Sequence, residues 1–207
     1  GRGARGGGAG RRAGAARPPA ARHGDRRGPD AAAPPAPPAA WRGPSPSRWL
    51  LFAALAVAVI VADQVTKAWV VATLEIGGRI EVLGDLVRIV HWRNSGALFG
   101  LLPDTAGAFA VVSVVVVGLI VWYHAKAGRG ILLSLSLALL LGGAIGNLID
   151  RVRYGAVVDF VDAGIGTARF YTFNVADAAI TPAIVGLLAF ALLPRLAEVG
   201  ADDPVTR

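Results

Sequence analysis

Four long apolar segments limit what this chain of 207 residues can fold into. They cover residues 49–71, 106–123, 131–149 and 178–193. Each approaches the roughly 20 residues that a membrane-spanning helix needs. Four core helices of a soluble protein are the alternative, but the second segment carries no charge on any face. We therefore expect a membrane all-α domain with four transmembrane helices.

The basic charge of the chain lies outside this domain. Residues 1–48 contain ten arginines and two aspartates, which sum to +8, whereas the whole chain is +7, so that residues 49–207 sum to −1. The first 48 residues are mostly Gly, Ala, Arg and Pro and cannot bury enough apolar surface to fold. We expect a disordered cytoplasmic tail at 1–48, the membrane domain at 49–195 and a short cytoplasmic tail at 196–207. A nucleic-acid-binding arm is the alternative for the first tail.

The start of the chain carries neither Met nor the pattern of a signal peptide. The missing Met indicates a fragment or a processed form.

Basic residues near the segment ends predict the orientation in the membrane. They precede the first segment, separate the second from the third and follow the fourth, at Arg42, Arg48, Lys126, Arg129 and Arg195. Because Lys and Arg concentrate on the cytoplasmic side, both termini and the 124–130 turn should lie inside. The connections at 72–105 and 150–177 should then lie on the outer face.

Alternating apolar and polar residues in these two connections predict short strands. The clearest are 79–83 and 86–93, and 157–161 and 169–173 could add others. The expected fold class is therefore four transmembrane helices capped on the outside by a small antiparallel β-sheet.

Several polar residues should share one depth near the outer surface. Asp63 lies fourteen residues after Trp49 and Asn147 sixteen after Ile131, which correspond to roughly 21 and 24 Å along a helix. In a hydrocarbon core of about 30 Å, both lie in the outer leaflet. Three further charged residues mark the outer helix ends: Asp150, Arg151 and Asp177. Ionisable residues beside membrane helices are candidates for a functional site.

Each candidate also has an ordinary structural interpretation. These interpretations are helix capping for Asn174 and Asp177, a helical ion pair for Asp63 and Lys67, helix-end charge for Asp150 and Arg151, and a turn for Asn94. Asp162 precedes Ala-Gly-Ile-Gly and is expected in a turn.

The residue types leave carboxylates as the candidate catalytic groups. The chain has no Cys, no GxSxG and no HExxH, and its three histidines are scattered over the tail, the outer sheet and the inner turn. We expect neither a metal nor a cofactor. Two carboxylates that share a proton can activate water and protonate a leaving amine. Asp159 and Asp177 are the best pair, since a strand and a helix start could bring them together.

Five blocks of this sequence resemble the lipoprotein signal peptidases (signal peptidase II), a family of bacterial membrane aspartic peptidases. In order, they are Asp63-Gln-Val-Thr-Lys67, Asn94-Ser-Gly-Ala-Leu-Phe-Gly100, Gly146-Asn-Leu-Ile-Asp-Arg151, Val157-Val-Asp-Phe160 and Phe173-Asn-Val-Ala-Asp-Ala-Ala-Ile180. The resemblance covers about residues 49–195 and implies an extracytoplasmic β-cradle and a catalytic pair at Asp159 and Asp177. It also implies site-lining roles for Asp63, Lys67, Asn94, Gly96, Asn147, Asp150, Arg151 and Asn174.

The implied substrate is a diacylglyceryl-modified prolipoprotein, which is cut just before its lipidated cysteine. The resemblance implies a multi-pass protein of the bacterial plasma membrane that contacts lipids and acts at the outer face. We expect a monomer that binds no nucleic acid. A small proton-coupled transporter or flippase is the alternative, although its relay carboxylates should appear at several depths. A nucleic-acid-binding membrane anchor would leave the outer polar cluster unexplained.

Overall fold

The structure of the protein is a computed structural model that describes residues 43–95, 106–128 and 130–193. Its helices and strands follow the order α1 (Pro46–Thr73), β1 (Arg79–Glu81), β2 (Val87–Asn94), α2 (Ala106–Ala127), α3 (Ile131–Tyr154), β3 (Val157–Ile165), β4 (Ala168–Arg169) and α4 (Val175–Leu192). All four helices are long and apolar enough to cross a membrane. Together with the small antiparallel sheet, they confirm the predicted fold class. Gly96 and most of the two predicted tails lie outside the described residues.

All four helices extend beyond their apolar segments, the second as far as Ala127. The first begins at Pro46, after an N-cap in which the Ser45 side chain accepts a hydrogen bond from the backbone N–H of Arg48. The third continues past residue 149 to Tyr154 and ends at Gly155, whose φ of 67° suits glycine. The fourth begins at Val175 rather than at 178. Hydropathy marks only the apolar part of a helix, and the added polar ends contain three of the candidate site residues, Asp150, Arg151 and Asp177.

The third helix is the centre of the bundle and packs against the other three. Its glycines allow close approach. A Cβ added at Gly142 would lie 2.7 Å from the Cβ of Val59, and one at Gly143 would lie 2.6 Å from the Ala176 carbonyl oxygen. Small residues let membrane helices pack backbone to backbone. These contacts bring α1 and α4 against α3 below the sheet.

The four strands form one antiparallel sheet in the order β1-β2-β3-β4. The pairing of β2 with β3 shifts register between Ile89 and Trp92, after which Trp92 faces Asp159 across the two strands. Two strand predictions were too long, since β1 ends at Glu81 and β4 contains only Ala168–Arg169.

The turn assignment of Asp162 was wrong. This residue lies inside β3, opposite Arg88, and the chain turns later, at Gly166 with φ of 57°. The strand continues through the apparent turn sequence because the Asp162 carboxylate has arginine partners on both neighbouring strands, Arg88 on β2 and Arg169 on β4.

Candidate active site

Asp159 on β3 and Asp177 in the first turn of α4 line the same cavity, which has a volume of about 880 Å³. The other lining residues come from the end of β2, the segment before α4 and the outer part of α4: Trp92, Arg93, Asn94, Ser95, Phe170, Tyr171, Thr172, Phe173, Ala178, Thr181 and Pro182. The cavity therefore joins the sheet to the sheet-side end of a membrane helix. Its walls are largely apolar and aromatic, and the two carboxylates are its acidic groups.

Asp159 is buried with neutral hydrogen-bond donors. Only 2% of this residue is exposed. The side-chain amide of Asn174 donates to Oδ1 at 2.7 Å, and that of Asn94 donates to Oδ2 at 3.3 Å. Burial and the nearby charge of Asp177 raise the pKa of Asp159 to about 7, although both amides and Lys67 favour the ionised form. This carboxyl can therefore hold or release a proton near neutral pH.

Asp177 is oriented by two asparagines. The side-chain amide of Asn147 donates to Oδ1 of Asp177 at 2.9 Å. Asn174 and Asp177 also form a capping box at the start of α4, in which each side chain accepts a hydrogen bond from the other residue's backbone N–H. The capping interpretation is thus correct for both residues, and the same geometry aims Asp177 at the cavity.

A buried ion cluster lies behind this pair. The ammonium group of Lys67 is 2.8 Å from Oδ2 of Asp63 and 2.8 Å from Oδ2 of Asp150, and all three side chains are at most 3% exposed. Asp63 also accepts a hydrogen bond from the backbone N–H of Ala176, and Asp150 accepts one from that of Val158. The predicted helical ion pair between Asp63 and Lys67 forms, and it is part of a larger network that connects α1 to α3, α4 and β3.

Lys67 determines which way the Asn147 amide points. An ammonium group can only donate, so the Asn147 oxygen must face it, and the distance between Lys67 Nζ and Asn147 Oδ1 is 3.0 Å. The same oxygen accepts from the Asn174 side chain at 3.1 Å. The Asn147 amide nitrogen is therefore directed at Asp177. Through two asparagines, the ion cluster aligns donors on both cavity carboxylates.

Gln64 and Gly146 also belong to the site, although neither was among the residues predicted from the sequence. Gln64 donates its side-chain amide to Asp63, to Asp150 and to the Gly146 carbonyl oxygen, at 3.1–3.2 Å. A Cβ at Gly146 would lie 2.6 Å from Oδ2 of Asp63. Gln64 adjoins Asp63 in the first block, which was the available signal. The requirement at Gly146 depends on the α1–α3 distance and has no local signal.

Arg151 lies at the edge of the site. Its guanidinium donates to the Asn147 carbonyl oxygen at 3.2 Å and lies 5.9 Å from the centre of the Phe109 ring. Within the described part of the chain, it makes no hydrogen bond to Asp159 or Asp177.

In the same part of the chain, no group of three or more His, Asp or Glu side chains is arranged to hold a metal ion.

A carboxylate from the sheet and one from α4 line the same cavity beside four membrane-length helices, an arrangement that suits a membrane enzyme that uses paired carboxylates. The family model for signal peptidase (SPase) II matches residues 55–193, and the chain belongs to this family.

Relatives and solved structures agree with this assignment. The lipoprotein signal peptidase of Listeria monocytogenes serotype 4b (strain F2365) is 44% identical over 137 residues, which are 66% of this chain and 89% of the relative. That of Staphylococcus carnosus is 39% identical over 140 residues, or 67% and 87% of the two chains. Two bacterial membrane enzyme structures solved by the in meso method match with TM-scores of 0.63 and 0.64. Their identities are 35% and 33%, and the matches cover 72% and 74% of this chain and 88% and 97% of theirs.

Proposed function

We propose that this protein removes signal peptides from lipidated prolipoproteins. The observation that carries the proposal is the pair Asp159 and Asp177 on one cavity at the end of a membrane helix. The largely apolar walls of that cavity suit a cleavage site attached to lipid. The names of the relatives support the same reaction, and the family resemblance implies a diacylglyceryl-modified substrate that is cut before its lipidated cysteine.

The proposed mechanism uses the two carboxylates with one shared proton. Asp159, with a pKa of about 7, holds the proton and donates it to the scissile carbonyl oxygen. Asp177, which is the unprotonated member of the pair in this mechanism, takes a proton from the attacking water, whose oxygen bonds to the carbonyl carbon. When the C–N bond breaks, Asp177 gives that proton to the leaving amine and the carbonyl oxygen returns its proton to Asp159. The products are a carboxylic acid and an amine.

The remaining site residues act through these two. Asn94 and Asn174 orient Asp159, and Asn147 orients Asp177. The cluster of Asp63, Lys67 and Asp150 holds the asparagines by charge and hydrogen bonding. A site-lining role for Arg151 and Gly96 stays a prediction from the resemblance.

The proposed arrangement in the bacterial plasma membrane puts both termini in the cytoplasm and the cavity at the outer face. Single-cysteine labelling tests it, since the chain contains no Cys. Thr167→Cys, exposed after β3, should react with an impermeant maleimide added outside, and the exposed Lys126→Cys should not. The reverse pattern would contradict the orientation. Gly128 is unsuitable as a labelling position, because its Cβ would lie 2.4 Å from the His124 ring.

The decisive experiment is cleavage of a purified, lipidated prolipoprotein by the purified protein in detergent. Release of the signal peptide from the lipidated form, and not from the unlipidated form, is the expected result. Absence of cleavage in lipid and detergent mixtures that keep the protein folded would overturn the proposal.

The transporter alternative has no support among the relatives named above. Sedimentation in detergent tests the expected monomer.

A further inference from the structure

Two exposed arginines flank one tyrosine on the side of the membrane that carries the sheet. The guanidinium carbon of Arg93, at the end of β2, lies 5.3 Å from the centre of the Tyr154 ring. The guanidinium carbon of Arg153, at the end of α3, lies 5.2 Å from the same centre. We call Arg93, Arg153 and Tyr154 the arginine pair site. The shared ring holds two cations near each other, although like charges repel.

Among the described residues, the two arginines of this site lack the acidic partners that Arg88 and Arg169 of the sheet have. Arg88 and Arg169 both pair with Asp162, at N–O distances of 2.8 Å. Within the described residues, neither Arg93 nor Arg153 has a carboxylate within 4.0 Å. Attraction to the C-terminal end of α3 accounts for a basic residue at 153. This attraction does not explain the basic residue at position 93, because Arg93 belongs to β2 and not to α3.

The site lies at the level of lipid headgroups. Arg153 is twenty-two residues after Ile131, the first residue of α3. At 1.5 Å per residue this is roughly 33 Å, slightly more than the hydrocarbon core of about 30 Å. The preceding Val152 is 73% exposed, as expected at the edge of the acyl region. Two cations that have no acidic partner among the described residues are positioned at this depth for the phosphate layer.

We propose that the arginine pair site binds the phosphate of an anionic phospholipid. A guanidinium presents parallel N–H donors that match phosphate oxygens, and two of them can hold one phosphate from two sides. Basic pockets between membrane helices bind the headgroups of anionic lipids. Arg93 also lines the active-site cavity, so the bound lipid would lie at the rim of that cavity. The proposal does not depend on which reaction the cavity performs.

The test measures binding of phosphatidylglycerol to the purified full chain in neutral detergent by native mass spectrometry, with phosphatidylcholine as the uncharged comparison. A basic residue at a membrane surface contributes about 1 kcal/mol, so Arg153→Gln should weaken phosphatidylglycerol binding about fivefold. Arg153→Lys should bind more tightly than Arg153→Gln and less tightly than the original protein. Because Arg153 does not line the cavity, the folded Arg153→Gln variant should cleave substrate in neutral detergent normally.

Arg79→Gln is the matched control, since it removes the same charge from an exposed residue of the same sheet. An equal loss of binding in Arg79→Gln would show general attraction to the surface and overturn the site. Equal binding of phosphatidylcholine would exclude recognition of charge. Glycerol phosphate or inorganic phosphate, added at the same concentration, should not displace the lipid. Displacement by either would assign the site to a soluble phosphate instead.

Discussion

Asp159 and Asp162 lie three residues apart on the same strand, and their carboxylates have opposite surroundings. Among the described residues, Asp159 accepts hydrogen bonds from neutral amides and lies near a second carboxylate, and its pKa is raised to about 7. Asp162 is also mostly buried, with 9% exposed. Burial favours its neutral form, but the hydrogen bonds and charges of Arg169 and Arg88 outweigh burial and lower the pKa of Asp162.

The difference shows that burial alone does not prepare a carboxyl for acid–base chemistry. A partner of opposite charge stabilises the ionised form and keeps Asp162 deprotonated. Asparagine partners orient Asp159 without supplying that charge. The only buried cation behind the cavity, among the residues described, is Lys67, which is bonded to two other carboxylates. One strand thus carries a candidate proton donor and a structural ion pair.

The largest effect should follow from removing either cavity carboxylate. Asn is nearly isosteric with Asp but can neither accept nor return the proton, so Asp159→Asn and Asp177→Asn should each lower single-turnover cleavage by several orders of magnitude. Groups that act as one unit are not additive, so the double variant should be little slower than either single one. Folding and substrate binding should persist in all three.

Rapid-quench cleavage of a lipidated substrate by the three variants checks this expectation. A rate near normal in either single variant would show that the pair is wrongly chosen. If the rate losses of the two single variants multiplied in the double variant, the two carboxylates would act in separate steps. Chelators and serine- or thiol-directed reagents should leave the original protein active, and restoration by zinc after chelation would contradict carboxylate catalysis.

Lys67→Met should have the next largest effect, on stability. Removing the cation leaves Asp63 and Asp150 buried without their shared partner, and breaking a buried ion pair in this way costs about 3–5 kcal/mol. Thermal unfolding in detergent should show a large loss. Lys126→Met, which removes an exposed lysine at the other end of the bundle, is the control. If both variants show the same small loss of unfolding temperature, the buried cluster does not hold the helices together.

The pH dependence of stability distinguishes Asp159 from Asp162. A raised pKa means that the folded state binds the Asp159 proton more tightly than the unfolded state. Its stability contribution is then complete below pH 4 and is lost as pH rises towards 7. The rise of the Asp159 pKa from 3.8 to about 7 corresponds to roughly 4 kcal/mol of folding free energy. Asp159→Asn should therefore gain unfolding temperature relative to the original protein at pH 8 and not at pH 4. A constant difference would contradict the raised pKa.

The fold was accessible from the sequence because hydropathy and strand alternation are local signals. The carboxylate cluster was accessible from depth counting, and the pairing of Asp159 with Asp177 from elimination and resemblance. The role of Asp162 was not accessible, since its partners Arg88 and Arg169 are distant in sequence and the local Ala-Gly-Ile-Gly is typical of a turn. The dependence of the Asn147 orientation on Lys67 likewise requires the packing of α1 against α3.

Asp162→Asn should have the smallest effect of the four changes. Asn keeps the side-chain oxygen that accepts from one arginine but removes the charge that both share. The three side chains of this ion pair keep 12–16% of their surface exposed at the sheet, and ion pairs that reach solvent contribute about 1 kcal/mol or less. Because a lowered pKa stabilises only the ionised form, the loss should appear at pH 7 and vanish as pH falls below about 4. Cleavage should stay within about twofold of normal, since Asp162 does not line the cavity. A cleavage rate as low as that of Asp159→Asn would mean that the arginine-paired carboxylate takes part in the reaction, and the contrast between the two positions on β3 would fail.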